Sequence, residues 1–382
     1  MLQSIRGGVC RLGSGANAVA CRRPGWSSGL VTCGWDVVVV GAGIVGASVA
    51  YHLARAGAGV LLLDRSTPAS GASGDSFAWI GRGTAGAPPE QLLLRRQVLA
   101  DYRRLEGELE AVRVRWTGSL SWSGDRPPVT DGDGGDGRVV DTAAVTGLEP
   151  ALHTPPAEAA WRAEDGAVDP VAVTEALIGG MRAHGGAVRT GVTALDLPAD
   201  DRRVLGVTTS AGLLAARTVV LATGADAPRL CAPLGYDLPV ASSPALLMRF
   251  TAPPGVVRTL VSNDQIEIRE AADGQLLVPW DYDGQTTPEE LHHAGQKMLT
   301  RLRESFTGAD DVQLVSVRVG RRPMPADGSP VIGPVPGVAG TYLAVMHSGV
   351  TLAATVGRLV AGEIVDGVSA AELQQLRPSR FT

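Results

Sequence analysis

Three stretches of the 382-residue sequence predict a mixed α/β fold. Residues 37–66, "VVVVGAGIVGASVAYHLARAGAGVLLLDRS", read as apolar strand, glycine turn, helix and second apolar strand. Residues 206–227, "GVTTSAGLLAARTVVLATGADA", read as a hairpin leading into the buried strand Thr218–Ala222. The C-terminal "GTYLAVMHSGVTLAATVGRLVAGEIVDG" reads as strand, glycine turn and long helix. Between the last two, residues 239–320 alternate as strands do, with Gly and Pro turns. An antiparallel portion therefore accompanies the α/β portion, giving α+β character overall.

Each element has a local reason. Val37–Val40 is apolar on both faces, as a strand inside a parallel sheet must be. A helix follows from about Ile44 to Ala56 and is stopped by Gly57 and Gly59. Val60–Asp64 completes a β-α-β unit. His52 lies inside this helix and is read as structural. Residues 88–110 predict an amphipathic helix with Leu92, Leu93, Val98, Leu99, Tyr102 and Leu105 on its apolar side. Short strands are expected around Trp116–Trp122, a helix then a strand after residue 165, and a helix near 288–306. "DGDGGDG" (131–137) is a flexible loop; as a calcium loop it fails at Gly135 and Thr142, where an oxygen ligand and a glutamate are needed. No internal repeat is visible.

Composition removes several classes of function. An apolar fraction of 45% with 19% charged residues describes a globular chain with a real core. A net charge of −5 argues against nucleic-acid or anionic-membrane partners. Cys10, Cys21, Cys33 and Cys231 include no C-x-x-C pair, which argues against a disulfide framework or zinc site and fits a reducing, cytoplasmic setting. The apolar run 37–50 is shorter than the ~20 residues a membrane-spanning helix needs. Residues 1–35 carry Arg6, Arg11, Arg22 and Arg23 and no acid. They are expected to lie outside the fold, as a loose extension or a misassigned start, with an organelle-targeting segment as the alternative.

The glycines carry the first chemical signal. Gly41, Gly43 and Gly46 form G-x-G-x-x-G between a strand and a helix, the context in which the motif is informative. The first permits a tight turn, the second lets backbone approach a pyrophosphate, and the third lets helix pack on strand. Asp64 ends the second strand 18 residues after Gly46, where a carboxylate accepts from ribose hydroxyls. Dinucleotide binding follows, with NAD and FAD both open at this point.

Three further segments resemble the D-amino-acid oxidase superfamily of FAD-dependent oxidoreductases, glycine/sarcosine oxidase-like branch. They are "ASGASGD" (69–75), "VVLATGADAPRL" (219–230), and "VGRRPMPADGSPVIGPVPG" with "YLAVMHSGVTLAATVGRLVAGEI" near the end. The resemblance runs from about 35 to 370. It implies a Rossmann-like FAD-binding domain with an inserted, mostly antiparallel β substrate domain. The first would be assembled from 36–85, 140–235 and 315–382, the second from 86–139 and 236–314.

The same resemblance implies the site. Gly41, Gly43, Ile44, Val45 and Gly46 would hold the pyrophosphate, Asp64 the adenosine ribose, and Arg65 and the backbone of Val192 the adenine. Ser70, Gly71 and Ser73 would approach the ribityl-pyrophosphate, with Thr223, Gly224, Gly320 and Arg321 also at the cofactor. Gly349, Val350, Thr351 and Leu352 would face the pyrimidine edge of the flavin, where helix-end N–H groups stabilise the charge of reduced flavin. FAD is expected to be non-covalent, because the tethering cysteine of sarcosine oxidases falls near Gly320. The implied reaction is oxidation of a C–N bond in an amine or amino acid, by hydride transfer to flavin N5, giving an imine. Oxygen or an electron carrier would be the final acceptor.

Substrate contacts are less determined. The carboxylate-binding arginine and lysine of such enzymes fall on His347 and Thr351. Arg249, Arg321 or Arg82 would then replace them, or the substrate lacks a carboxylate. His347 either contacts flavin or substrate or satisfies local backbone groups. Trp280 and Tyr282 either wall the pocket above the flavin or fill the smaller domain. Arg321 and Arg322 precede "PMPADG", which favours at least one of them near the cofactor. Two other functions compete: an FAD-binding subunit of a multi-protein dehydrogenase or modification system, inactive alone, and a nicotinamide-dependent dehydrogenase.

Overall fold

A computed structural model describes residues 34–83, 88–127 and 137–382. Cys10, Cys21, Cys33, nearly all of the 1–35 extension and most of the 131–137 loop lie outside the described residues. The β-α-β unit is β1 (Trp35–Val40), α1 (Ile44–Arg55) and β2 (Val60–Leu63). Next come α2 (Val98–Glu108), β3 (Ser119–Ser121), β4 (Arg138–Asp141) and β5 (Glu158–Arg162). They are followed by α3 (Pro170–Ala183), β6 (Ala187–Arg189) and β7 (Gly212–Leu221). Then β8 (Val240–Thr251), β9 (Leu260–Ser262), β10 (Glu267–Glu270) and β11 (Leu276–Asp281) precede α4 (Pro288–Ser305). The chain ends with β12 (Gln313–Pro325), β13 (Val331–Pro334), β14 (Thr341–Val345) and α5 (Gly349–Asp366).

Two sheets organise these elements. In the first, β14, β7, β1, β2 and β6 run parallel in that order, with β13 antiparallel at the edge beside β14. Val37 to Val40 are all at most 5% exposed, because both faces of β1 are covered. The second sheet, ordered β12-β8-β11-β10-β9-β3-β5-β4, is antiparallel except at the β9–β3 pair. The fold is thus a Rossmann-like α/β unit joined to a mostly antiparallel sheet.

Small residues bring α1 against α5. A Cβ on Gly357 would lie 2.1 Å from the Ser48 hydroxyl, which itself donates to Ala353 O at 2.7 Å. Two segments sit elsewhere than the 86–139 and 140–235 boundaries imply. Helix α2, expected with the substrate domain, buries Val98, Leu99, Tyr102 and Leu105 in the core of the parallel sheet. Strands β4 and β5, whose residues from 140 on fall within the FAD domain that the resemblance implies, pair in the antiparallel sheet. Edge pairing with β3 outweighs sequence order there. The helix expected over 88–110 is also in pieces: a 3-10 turn Pro89–Gln91, a short helix Leu92–Arg95, then α2. Gln91 and Arg95 are drawn to Gly328 O and Ser348 Oγ, and those contacts outweigh helical continuity.

His52 is a structural group, 5% exposed. Its Nδ1 donates to Ser48 O at 2.8 Å and its Nε2 accepts from Arg104 at 2.9 Å. That leaves the ring neutral, and burial, with Arg104 nearby, pushes its pKa down to about 4. Between pH 6.5 and 4 the unfolded chain binds a proton that the folded chain refuses, so stability rises with pH through this window and falls on acidification. The full difference is about 3 kcal/mol. A His52→Leu variant should therefore lose less Tm than the parent between pH 7 and 4.5, whatever its starting value. Equal losses would show that the acid sensitivity arises elsewhere.

Candidate active site

The strand order reverses at β1, and ligands of open α/β sheets bind at the carboxyl ends of strands beside such a switch point. A cleft of about 690 Å³ opens there. Val40, Asp64, Ala222 and Val345 line it from the ends of β1, β2, β7 and β14. The antiparallel sheet forms its other wall through Ala245, Leu247, Glu267, Pro279, Gly320 and Arg322.

The glycine turn is shaped for close approach. Gly41 has φ +103°, and a Cβ there would lie 2.4 Å from Ala222 O. A Cβ on Gly46 would lie 1.9 Å from Gly41 O, so this glycine seats α1 on the turn rather than facing the cleft. Gly43, Ile44 and Val45 face it, and Ile44 N donates to Ser73 Oγ at 3.0 Å. The turn and the positive end of α1 together offer backbone to an anion. Asp64 Oδ2 accepts from Ala42 N at 2.7 Å and Oδ1 from Ser66 N at 2.8 Å. Each oxygen keeps a lone pair for a hydroxyl. Thr223 Oγ1 is buried on the cleft without a hydrogen-bond partner among the described residues. A dinucleotide with pyrophosphate and ribose hydroxyls meets all three demands.

Many of the residues singled out from the sequence line this one cleft. Arg65, Ser70, Gly71, Ser73, Val192, Thr223, Gly224, Gly320, His347, Gly349, Val350 and Thr351 all do. Arg65 forms an ion pair with Asp226 at the exposed mouth. Val192 N donates to Asp64 O at 3.0 Å, and the Thr351 hydroxyl to Trp79 O at 2.8 Å. Leu352 is fully buried, turned into the core.

Besides Gly46 and Leu352, five candidates lie off the lining. Arg321 is exposed on the opposite side of β12 from Gly320 and Arg322. Trp280 sits under the Arg301 guanidinium at 4.8 Å, on the α4 side of its sheet, and Tyr282 packs against that same core. Arg249 lies two residues along β8 from Leu247, close enough to Asp75 to favour its ionised form. Arg82 approaches Glu164 at 3.7 Å.

The cleft also holds side chains the sequence did not single out: Asp75, Phe77, Trp79 and Glu267. Arg322 is the cation it presents beside Gly320. Its guanidinium donates to Ser243 Oγ at 3.0 Å and to Ser243 O and Pro244 O at 3.4 Å. No carboxylate among the described residues pairs with it. The signal was available in the alternation of β12, since a residue two from Gly320 shares its face. His347 lies in the turn after β14 beside Ser348, whose Oγ is 3.4 Å from Nδ1. Burial, then Arg322 and Arg95, push the His347 pKa below its ordinary value, so the imidazole is neutral at pH 7.

A glycine turn between strand and helix, with a carboxylate at the end of the next strand on the same cleft, defines a dinucleotide-binding class of fold. The chain belongs to the DAO family of FAD-dependent oxidoreductases, whose model matches residues 36–363. Its cofactor is FAD, and no cysteine among the described residues lines the cleft to tether it. It is 27% identical over 359 residues to a glycine oxidase of Pseudomonas aeruginosa, covering 85% of this chain and 93% of that one. It is 29% identical over 258 residues to a D-amino acid dehydrogenase of Paramagnetospirillum magneticum, covering 63% of this chain and 59% of that protein. The solved glycine oxidase of Geobacillus kaustophilus superposes with TM-score 0.79 at 23% identity, over 91% of this chain and 98% of that one. An L-amino acid deaminase of Proteus myxofaciens gives 0.80 at 18%, over 93% and 95%. Likeness at that identity speaks for the fold alone. Among the described residues no helix is long and apolar enough to cross a membrane.

If Asp64 accepts from the ribose hydroxyls, as its place at the end of β2 implies, replacing it removes a hydrogen bond to a charged group, which contributes about 1.5–3 kcal/mol. Asp64→Ala should weaken FAD binding by roughly tenfold or more. Fluorescence of FAD released on dilution measures it, and unchanged retention would remove Asp64 from the cofactor site.

Proposed function

We propose that this enzyme oxidises the C–N bond of an α-amino acid, with Arg322 holding the substrate carboxylate. The observation that carries this is Arg322 itself, a guanidinium on the cleft wall with neutral partners only. Such a fork matches a carboxylate's two oxygens. It favours an amino acid over an amine without a carboxylate.

The turn at Gly41, Gly43, Ile44 and Val45 would hold the FAD pyrophosphate, with Gly46 seating the helix behind it. Asp64 would take the adenosine ribose, and Arg65 and Val192 would flank the adenine. Ser70, Gly71 and Ser73 would lie along the ribityl chain, with Thr223 and Gly224 facing them. Gly320 and the start of α5 at Gly349, Val350 and Thr351 would border the flavin ring. When bound, FAD supplies the two-electron acceptor, taking the α-hydrogen as hydride so that the substrate leaves as an imine, which water hydrolyses.

The chain's own work is orientation. Arg322 fixes the carboxylate, and the antiparallel sheet covers the cleft, so the α-carbon is held in one pose. His347, kept neutral, adds no second positive charge beside the substrate's amine. The amine loses its proton more readily in a site that already holds a fixed cation.

Anaerobic mixing with a panel of amino acids and their decarboxylated amines tests this, read as loss of flavin absorbance. Amino acids should bleach the flavin at far lower concentration than the matching amines. Losing one partner of a buried charge pair costs about 2 kcal/mol or more, so Arg322→Met should raise KM for the amino acid roughly 30-fold or more. Equal bleaching by amines, or an unchanged KM, would overturn the assignment. Readmitting air to the reduced enzyme then tells oxygen from a carrier as acceptor.

A further inference from the structure

The cleft wall built by the antiparallel sheet has two charged ends. Ile266 and Ile268 point into the core between that sheet and α4, which turns Glu267 to the opposite face, onto the cleft. On that same face Ala245 lies opposite Gly320, and Leu247 lies opposite Pro279. Continuing the Arg269–Leu277 register by two residues sets Glu267 across from Pro279. A diagonal therefore runs from Arg322, past Gly320 and Ala245, over Leu247 and Pro279, to Glu267. It is cationic at one end, apolar in the middle and anionic at the other.

Glu267 has no partner for its charge. It makes no hydrogen bond and no ion pair among the described residues, and burial pushes its pKa up to about 7. Arg249, two residues along β8 from Leu247, makes no hydrogen bond or ion pair among the described residues, yet burial is the one influence on the Glu267 pKa, so its guanidinium does not neutralise that carboxylate. The other arginines nearby are engaged. Arg269 donates to Phe77 O at 2.6 Å and Val168 O at 3.1 Å, and Arg115 pairs with Glu270 at 2.9 Å. Arg318 pairs with Asp75 at 2.7 Å, and Arg301 donates to Gln265 O at 2.7 Å from the far side of the sheet. A half-buried carboxylate left unpaired is costly, and a cation arriving in the cleft relieves that cost.

Distance then decides which cation. Arg322 and Glu267 are three strands and four residues apart. At ~4.8 Å per strand and ~3.3 Å per residue their backbones lie roughly 19 Å from each other. A molecule of glycine's size on Arg322 does not reach Glu267. A substrate that spans the two must carry methylenes across Leu247 and Pro279.

We propose that Glu267 forms an anionic subsite for a distal ammonium or guanidinium, so that the substrate is an amino acid whose side chain ends in a cation. This rests on Arg322 as the carboxylate anchor. The subsite would select by charge at the far end of the molecule, away from the bond that is oxidised.

The holoenzyme is assayed with matched pairs, both enantiomers of each: lysine against norleucine, and arginine against citrulline. We expect kcat/KM to favour the cationic member at least tenfold, and Glu267→Gln to bring both ratios close to one. A parent enzyme that prefers the neutral member, or ratios that Glu267→Gln leaves unchanged, would overturn the subsite. Binding of 6-aminohexanoate and hexanoate, read as a shift in holoenzyme Tm and flavin absorbance, tests it without turnover. The amino compound should bind at least tenfold tighter, and Glu267→Lys should reverse the order and favour adipate. Equal binding of the two in the parent overturns the subsite. If 6-aminohexanoate is preferred while no amino acid bleaches the flavin, the subsite stands and the proposed reaction falls.

Discussion

The closeness of Gly41 to Ala222 is the contact on which the rest of the molecule depends. The turn after β1 must pass within a few ångströms of the carbonyl ending β7, and only a residue without a side chain at positive φ allows it. From that approach follows the entry angle of α1, and from α1 the position of α5 against it. The start of α5 then faces the same cleft as the glycine turn, because both helices share one core. A substitution at Gly41 would move more than one loop. It would displace the two helix ends that border the cleft.

The antiparallel sheet contributes a different kind of constraint. It supplies few groups, but its register decides which of them face inward. On β12, Gly320 and Arg322 face the cleft and Arg321 faces solvent, so one residue of slippage would replace the proposed carboxylate anchor with its neighbour. The pairing of β12 with β8 over most of both strands makes that slip expensive. Polarity at the cleft is thus a consequence of strand register rather than of any local motif.

That distinction explains what the sequence made legible. The β-α-β unit and the last strand and helix could be read because their signals are local: an apolar run, glycines at fixed spacing, then a helical period. Asp64 was legible for the same reason, lying a fixed distance past Gly46. Arg322 was only half legible, since the adjacent arginines are distinguished by the face they take in the sheet. Glu267 was not legible at all. Nothing in "DQIEIRE" tells which acid of an alternating strand faces a cleft built by residues far away in sequence. The break between Leu92–Arg95 and α2 was hidden similarly, because contacts to Gly328 and Ser348 produce it and no glycine or proline marks it.

The hydrogen bond from Ser48 to Ala353 joins residues 305 positions apart. It has a consequence for the order in which the chain can mature. During synthesis α1 emerges well before the partner face of α5, which follows 305 positions later. Until β14 and α5 are made, α1 is covered by α3 but not by α5, and the C-terminal end of β7 has β1 on one side and no strand on the other. The nascent chain therefore carries an unfinished core while the residues between α1 and α5 are made, when pairing with the wrong edge is most costly. Loss of α5 would leave α1 without its closing surface.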